Sequence, residues 1–151
     1  MHFRFIEETD FATLTQLEKE LFPDKPDHFY RCRPPALRFF ARSSHSFVAD
    51  EEGVLHGFVL AQAVWQGDRA TVLVSRIGAK SSDVYLGLLR ALLKSAYDAN
   101  AYEAALLAND EVRPDLVKAA QEAGFFASNA TVLIRVLGSR GAEGETGGVL
   151  E

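Results

Sequence analysis

The sequence predicts a mixed α/β fold: a central sheet of about six to seven strands, some parallel and some antiparallel, with helices on both faces. Two kinds of apolar pattern lead to this prediction. Apolar residues alternate in some runs, which is typical of strands, and recur every three or four residues in others, which is typical of helices. The runs follow each other in the order β-α-α-β-β-β-α-β-α-β. With 151 residues, 48% of them hydrophobic, the chain can build one core, so residues 1–137 are expected to form a single domain.

The first third of the chain contains a strand, two helices and a loop. The run "HFRFIEE" alternates and places Phe3 and Phe5 on one face of a strand. An amphipathic helix follows, with Thr9 or Asp10 as its cap. The apolar stripe of that helix consists of Phe11, Leu14, Leu17 and Leu21. Residues 23–35 contain four of the five prolines, which interrupt both patterns, so we expect a loop there before a short helix at "ALRFFARSS".

The middle of the chain predicts three consecutive strands and a long helix. A hairpin is expected from a strand at 47–49, a turn at "DEEG" and a long strand at 54–65, followed after "QGD" by a strand at "RATVLVSRI". Residues 82–99 are expected to form a helix that faces the core. Its stripe consists of Val84, Tyr85, Leu88, Leu89, Leu92, Leu93 and Ala96. Asn100 stands where a left-handed residue would end this helix.

The last third predicts two more strands around a helix. The run "YEAALLA" is expected to be a strand, "PDLVKAAQEAG" a helix with Pro114 in its first turn and Gly124 after its end, and "ATVLIRVL" a final strand. Residues 138–151 hold 5 of the 11 glycines. This tail is expected to be flexible or, alternatively, to dock on a second subunit in a homodimer.

Composition and charge exclude several classes of protein. The formal net charge of −5 gives no general attraction to nucleic acid or to anionic lipid, so neither is expected as a partner. A single cysteine, Cys32, cannot form an internal disulfide. No apolar run approaches the roughly 18 residues of a membrane span, and the N-terminus lacks the pattern of a signal peptide. These observations predict a soluble, cytoplasmic protein.

Three local features resemble the GNAT superfamily of acyl-CoA-dependent N-acyltransferases. They are the strand-loop-helix "TVLVSRIGAKSSDVYLGLLRALLKSAYDANA", the strand that ends in asparagine at "ALLAND", and the "EAGF" before the final strand. The resemblance covers about residues 1–137, and is greatest to a small, uncharacterised branch. It implies acetyl-CoA or another acyl-CoA as cofactor and acetyl transfer to an amine of a small molecule or peptide.

In that superfamily the cofactor's pyrophosphate lies on the N-terminus of the helix after the fourth strand, where unpaired N–H groups attract anions. The family pattern is Gln or Arg, two residues, Gly, one residue, then Gly or Ala. Alignment on Leu88–Leu89 and Asn100 places it at residues 80–85, "KSSDVY". Lys80 then replaces Gln or Arg, while Asp83 and Tyr85 replace the two small residues, so the loop departs from the pattern.

Two alternatives remain for this loop. One is that Ser81, Ser82 or Asp83 caps the helix, and the other is a shifted alignment that begins at Arg76 and abandons both anchors. The cofactor site implied by the resemblance comprises Val74, Ser75, Arg76, Ile77, Gly78, Lys80, Ser81, Ser82, Asp83, Val84, Tyr85 and Asn109. Asn109 would hold the pantetheine or, alternatively, cap the following helix.

The acceptor site implied by the resemblance borders the first helices and the long strand of the hairpin. Its candidate residues are Phe29, Tyr30, Arg33, Gln62 and Trp65. Arg38 and Arg42, which follow this loop one helical turn apart, are instead interpreted as the solvent-exposed face of the short helix. Gln62, alone among apolar residues, needs a hydrogen-bond partner if it is buried, which core structure would supply as well as substrate.

The catalytic residues stay unknown from the sequence. In the family a tyrosine before the "GF" protonates the departing thiolate, but Ala120 stands at that position. A Ser-His-Asp triad around His45 and Asp50 is disfavoured, because nearness in sequence does not give triad geometry. No metal is expected, since the histidines lack companions. The prediction is therefore an N-acyltransferase with atypical catalytic residues. The alternative is a GNAT-fold binding or regulatory module that has lost catalysis, either with CoA binding retained or with CoA binding lost too.

Overall fold

The computed structural model describes residues 1–25 and 31–138. Its strands are β1 (His2–Phe5), β2 (Phe47–Glu51), β3 (Val54–Gln66), β4 (Arg69–Ala79) and β5 (Glu103–Leu106). Its α-helices are α1 (Phe11–Leu21), α2 (Pro34–Ala41), α3 (Ser82–Asp98) and α4 (Pro114–Glu122). The strands form one sheet in the order β1-β2-β3-β4-β5. The first four strands are antiparallel neighbours, whereas β4 and β5 are parallel and are connected through α3.

The prediction of a mixed sheet with helices on both faces is confirmed, but six to seven strands is wrong, since five strands lie within the described residues. The run "ATVLIRVL" at 130–137 is not a strand, and its apolar side chains are exposed. A strand exists only when a neighbouring strand accepts its hydrogen bonds, and an apolar alternation does not supply that neighbour. The predicted tail lies outside the described residues from 139 onward.

One face of the sheet packs against α3 and α4 through an apolar cluster. Alternate strand residues point to it, including Ala49, Val59 and Val72, because successive side chains of a strand point to opposite faces. The ring of Phe3 lies across α3 at Gly87, where a Cβ atom would be 2.0 Å from the ring. Gly87 therefore has a packing reason to be glycine in the middle of a helix.

The other face packs against α1 and α2, and it combines a smaller apolar cluster with charged groups. Leu14, Leu37 and Phe58 form part of its apolar core. Beside them lie the buried carboxyl groups of Asp10 and Glu18, at 7% and 0% exposure. Each of these carboxylates is paired with arginine, which is the usual condition for burying a charge. Within the described residues, no helix is long and apolar enough to span a membrane.

Candidate functional site

The fourth strand is paired on both sides in its first half and on one side in its second. The parallel pairing with β5 ends where Val74 faces Leu106, and β4 then continues to Ala79 with no strand of residues 1–25 or 31–138 paired on that side, which we call its open edge. The pairing with β3 shifts at the same place, since Leu60 faces Arg76 whereas Ala61 faces Val74, which leaves Ser75 as an extra residue. This β-bulge explains why the β4 residues in the apolar cluster under α3 and α4 have even numbers before Ser75, Val72 and Val74, and odd numbers after it, Ile77 and Ala79.

A cleft of about 530 Å³ opens where the two parallel strands part. Its walls come from the end of α1, the second half of β4, the start of α3 and the segment before α4. The residues that line it are Leu21, Phe22, Lys25, Val74, Ser75, Arg76, Ile77, Ala79, Lys80, Ser81, Tyr85, Leu107, Val112, Arg113, Pro114, Asp115 and Leu116. A cleft between two diverging parallel strands, beside the N-terminus of a helix, is an arrangement that favours ligand binding.

The charge of the cleft is opposite to that of the whole chain. Its lining contains four basic residues, Lys25, Arg76, Lys80 and Arg113, and one acidic residue, Asp115. The chain as a whole carries a formal net charge of −5. A basic cleft in an acidic protein attracts anionic ligands selectively to this place.

A buried carboxylate orients the arginine on the floor of the cleft. The Oε1 atom of Glu18 lies 3.6 Å from Nη1 of Arg76 and 4.0 Å from Nη1 of Arg31. Its Oε2 atom accepts a hydrogen bond of 2.8 Å from the backbone N–H of Cys32. Because Glu18 is enclosed by two guanidinium groups, it acts as a positioning carboxylate. Burial raises the pKa of the Cys32 thiol, and Glu18 adds to the rise, so this thiol stays protonated at neutral pH.

Arg113 closes the cleft at the start of α4. Its Nη2 atom donates hydrogen bonds to the carbonyl oxygen of Ile77 at 2.5 Å and to the hydroxyl oxygen of Tyr85 at 2.8 Å. The guanidinium also lies 5.2 Å from the ring centre of Phe22 and 5.6 Å from that of Tyr85. These contacts join α1, α3 and the start of α4 to the open edge of β4, which gives the cleft a defined width.

The start of α3 combines a cap with open donors. The Oγ atom of Ser81 accepts a hydrogen bond of 3.4 Å from the N–H of Val84, so Ser81 is the cap among the three candidates predicted. The N–H groups of Ser82 and Asp83 precede the first intrahelical bonds and have no acceptor within the helix. The Asp83 side chain is exposed and does not line the cleft.

The structure brings together most of the predicted cofactor residues. Seven of them line the cleft: Val74, Ser75, Arg76, Ile77, Lys80, Ser81 and Tyr85. Gly78, Ser82, Asp83 and Val84 are adjacent in sequence but do not line it. Asn109 forms a turn, since its Oδ1 atom accepts a hydrogen bond of 2.9 Å from the N–H of Glu111 and its carbonyl accepts from Val112 and Arg113. It therefore caps the turn before α4, whose N-cap position is occupied by Arg113.

The predicted acceptor residues are dispersed. Phe29 and Tyr30 lie outside the described residues, and Arg33 is the exposed residue before α2. Gln62 is half-buried on β3 opposite Leu73, next to the point where β4 and β5 part. Trp65 is 70% exposed and faces Ala70 near the β3–β4 turn, several residues from the cleft.

Sequence reasoning missed Glu18 and Arg113. A signal existed for Glu18, because it falls within the stripe of Leu14, Leu17 and Leu21, where a carboxylate is unexpected. Arg113 precedes a proline in a loop, and nothing in that pattern indicates that its side chain reaches β4. Its role depends on a contact across 36 positions of the chain.

His45 and Asp50 contact different partners and do not form a triad. The ring of buried His45 contacts the hydroxyl of Ser95, with 3.0 Å between Nδ1 and Oγ, and burial lowers its pKa. Asp50 accepts a hydrogen bond of 3.0 Å from Nε of Arg4. His45 therefore links the segment just before β2 to α3, and Asp50 links β2 to β1, so each has a structural role. Among residues 1–25 and 31–138, no group of three or more His, Cys, Asp or Glu is arranged to hold a metal ion.

The fold and the cleft define a GNAT-like α/β protein. The chain belongs to a family described as "Protein of unknown function (DUF1999)", whose model matches residues 1–148. No curated protein matches the chain. TTHA1254 from Thermus thermophilus is 46% identical, with a TM-score of 0.79, over 93% of this chain and 100% of that one.

More distant solved structures share the fold and are acetyltransferases. The aminoglycoside N-acetyltransferase AAC(6')-Iy, solved with a CoA-containing bisubstrate analog, is 21% identical, with a TM-score of 0.71, over 89% of this chain and 96% of that one. Meta-AAC0020, an aminoglycoside acetyltransferase from an uncultured soil metagenomic sample solved with sisomicin, is 14% identical, with a TM-score of 0.70, over 89% and 93% of the two chains. At these identities the likeness establishes the fold.

Proposed function

We propose that this protein is an acyl-CoA-dependent N-acyltransferase that binds its cofactor in the cleft between β4 and β5. The observation that carries the proposal is the parting of the two parallel strands at a bulge, beside the start of α3 and among basic side chains. The complexes of AAC(6')-Iy with CoA and with a CoA-containing analog support a CoA site in this fold. The acceptor would be an amine of a small molecule or peptide.

The open edge of β4 would bind the pantetheine. Backbone N–H and C=O groups from Ser75 to Ile77 that point away from β3 have no β5 partner. An extended amide chain can use such an edge as an additional strand would. Since Arg113 already occupies the Ile77 carbonyl, the groups nearest the bulge are the ones we assign to the ligand.

The entrance of the cleft would bind the phosphates. The N–H groups at the start of α3 and the positive end of its dipole attract anions. Lys80 is exposed immediately before this helix and lines the cleft, and Lys25 lines it as well. The exposed carboxylate of Asp83 opposes the phosphates in part, so the two lysines supply the balancing charge.

The chemistry in this proposal depends mainly on positioning. Bound acyl-CoA supplies an acyl group as a thioester. Backbone N–H groups at the Ser75 bulge would stabilise negative charge on the acyl oxygen, a role that does not require a particular side chain. Arg76, oriented by Glu18, adds positive charge at the same place. Proton transfer would use water, because the position of the family's tyrosine is occupied by Ala120, which is buried.

The acceptor would approach the cleft from the side of β3 on which Gln62 lies. Phe29, Tyr30, Arg33, Gln62 and Trp65 remain our candidates for its binding. Gln62 is the best placed of the described ones, because it lies beside the bulge. Its amide can donate to or accept from a polar acceptor molecule.

A second candidate function is a CoA-binding or regulatory module without catalysis. Ala120 cannot donate a proton, and Arg113 uses part of the β4 edge that a pantetheine would use. The first observation favours a cleft that binds CoA but does not transfer an acyl group, and the second favours loss of CoA binding as well.

The experiment that separates these functions has two stages. Acetyl-CoA and free CoA are first titrated calorimetrically into the protein, and binding in the micromolar range is expected. Release of free thiol is then followed with acetyl-CoA and a panel of amines. Binding without turnover would favour the binding module, and no binding at millimolar ligand would overturn both proposals.

Substitution of Lys80 tests whether the cleft is the binding site. Lys80→Ala is expected to weaken CoA binding about fivefold, since it removes one charge-assisted contact at a solvated position. Arg90→Ala is the matched control, because Arg90 is exposed on α3 and does not line the cleft. Equal effects of the two substitutions would place the cofactor elsewhere.

A further inference from the structure

Arg113 is a half-buried cation whose hydrogen-bond partners in the cleft are neutral. Its Nη2 atom donates to the carbonyl oxygen of Ile77 and to the hydroxyl oxygen of Tyr85. In the described part of the chain no carboxylate pairs with Arg113, although Asp115 lines the same cleft, and its Nε and Nη1 atoms have no acceptor there. A guanidinium with neutral partners gains by exchanging them for an anion, because charge-assisted hydrogen bonds are roughly twice as strong.

The same contacts cover part of the β4 edge that the pantetheine would use. The bond to Ile77 takes one acceptor of that edge, and the contacts with the rings of Phe22 and Tyr85 hold Arg113 across the cleft. A pantetheine that follows the edge past the bulge therefore meets Arg113 at Ile77. An uncharged ligand can offer only neutral groups in exchange for this contact, so it gains little by displacing the side chain.

The start of α3 offers Arg113 a second position, beside the phosphates. Tyr85 lies in the first turn of this helix, where its N–H donates to the carbonyl of Ser81 at 3.1 Å. The guanidinium bonded to the Tyr85 hydroxyl is therefore one tyrosine side chain away from that turn. A guanidinium can also form two parallel hydrogen bonds to a phosphate, which neither of its present neutral partners allows.

We propose that Arg113 determines the specificity of the cleft for a pantetheine that carries a pyrophosphate, an inference that rests on the function proposed above. When CoA binds, the guanidinium exchanges the Ile77 carbonyl and the Tyr85 hydroxyl for the pyrophosphate. The released Ile77 carbonyl then accepts a hydrogen bond from an amide of the pantetheine, in addition to the groups nearest the bulge. The same movement binds the phosphates and opens the edge, whereas a pantetheine without phosphates meets an edge that is still covered.

The test compares CoA with pantetheine, the part of CoA that has no phosphate, by calorimetric titration into the unchanged chain and into Arg113→Met. Methionine keeps an unbranched apolar side chain against the two rings but has neither the charge nor the N–H donors. We expect CoA binding to weaken about tenfold and pantetheine binding to strengthen about threefold, so the preference for CoA falls about thirtyfold. Lys118→Met is the matched control, because Lys118 is exposed on α4 and does not line the cleft.

Two results would overturn the inference while leaving the proposed cofactor site intact. Equal weakening of CoA and pantetheine by Arg113→Met would mean that the arginine only maintains the shape of the cleft. An unchanged preference for CoA would mean that the arginine does not contact the pyrophosphate. If the unchanged chain binds no CoA at all, the proposed function fails and this inference fails with it.

Tyr85→Phe is a second, milder test that keeps the buried ring in place. It removes one of the two neutral acceptors that hold Arg113 over the edge, so the exchange becomes easier. We expect CoA binding to strengthen about threefold. Unchanged or weaker CoA binding in Tyr85→Phe would contradict the exchange. This variant decides if circular dichroism shows that Arg113→Met does not fold.

Discussion

The two faces of the sheet are built differently. The face under α3 and α4 is held by a large cluster of apolar side chains, and its strictest requirement is shape, as the contact of Phe3 with Gly87 illustrates. The face under α1 and α2 has a smaller apolar cluster and buries the carboxylates of Asp10 and Glu18 among arginines. The comparison teaches that the apolar face supports the sheet, whereas the charged face both supports it and places Arg76 at the cleft.

The largest effect is expected from neutralising the charged face at Glu18. Glu18→Gln leaves the guanidinium groups of Arg31 and Arg76 without their buried counter-charge, and we expect a loss of about 3 kcal/mol in the free energy of unfolding. Urea unfolding measures this change. Glu20→Gln is the matched control, since Glu20 is exposed on the same helix and should change stability by less than about 0.5 kcal/mol. A small effect of Glu18→Gln would mean that the charged cluster does not support the fold.

A somewhat smaller effect is expected on the apolar face at Gly87. Alanine favours a helix over glycine, but its Cβ atom would overlap the Phe3 ring, so we expect Gly87→Ala to destabilise by about 2 kcal/mol. Adding Phe3→Leu should recover part of this loss, because the smaller side chain frees the space. If Gly87→Ala stabilises the protein, helix propensity outweighs packing there and the contrast between the two faces is weaker than we infer.

The smallest effect concerns the pH dependence of stability. Burial lowers the pKa of His45 in the folded state, so below its ordinary value of 6.5 the unfolded chain binds a proton that the folded chain excludes. Stability should therefore fall as pH decreases from 6.5, by at most about 1.4 kcal/mol per pH unit from this group. His45→Gln should flatten this part of the profile.

The same measurement separates His45 from the charged face. The pKa of Asp10 is lowered overall, since burial raises it but the hydrogen bond from Arg4 and further contacts outweigh that rise. This carboxyl loses its contribution only as pH falls below its ordinary value of 3.8. His56→Gln serves as a control because His56 is less buried and contacts exposed Glu51. An unchanged slope between pH 6.5 and 5 in His45→Gln would contradict the assignment.

Much of the fold was predictable because it is local. The apolar runs of β2, β3 and β4, the turns between them, and the stripes of α1 and α3 are patterns of neighbouring residues, which do not depend on the rest of the chain. Even the left-handed residue after α3 was visible, and Asn100 has a φ of 61°. The number of strands was not predictable in this way, since 130–137 has the pattern of a strand but no partner within the described part of its own chain.

The candidate site was predictable only along one stretch. Residues 74–85 are continuous in sequence, and a resemblance placed them together before the structure did. The bulge at Ser75 is visible only in the pairing of β4 with β3. Glu18 and Arg113 join this stretch from positions far away in the chain. The apolar stripe around Glu18 marks it as unusual, but its pairing with Arg76 and the contact of Arg113 with β4 follow only from the packing of α1 and α4.

The sequence by itself determined the class of fold and the identity of most strands and helices, because these follow from residues that are neighbours in the chain. The loop proposed for ligand binding came from a family resemblance. The tertiary structure alone decided that β4 and β5 part at Ser75, that Arg113 closes the cleft and that a buried carboxylate orients Arg76. The physical reason is that charge pairing, cleft width and strand pairing depend on distances between segments, and a one-dimensional pattern carries no such distances.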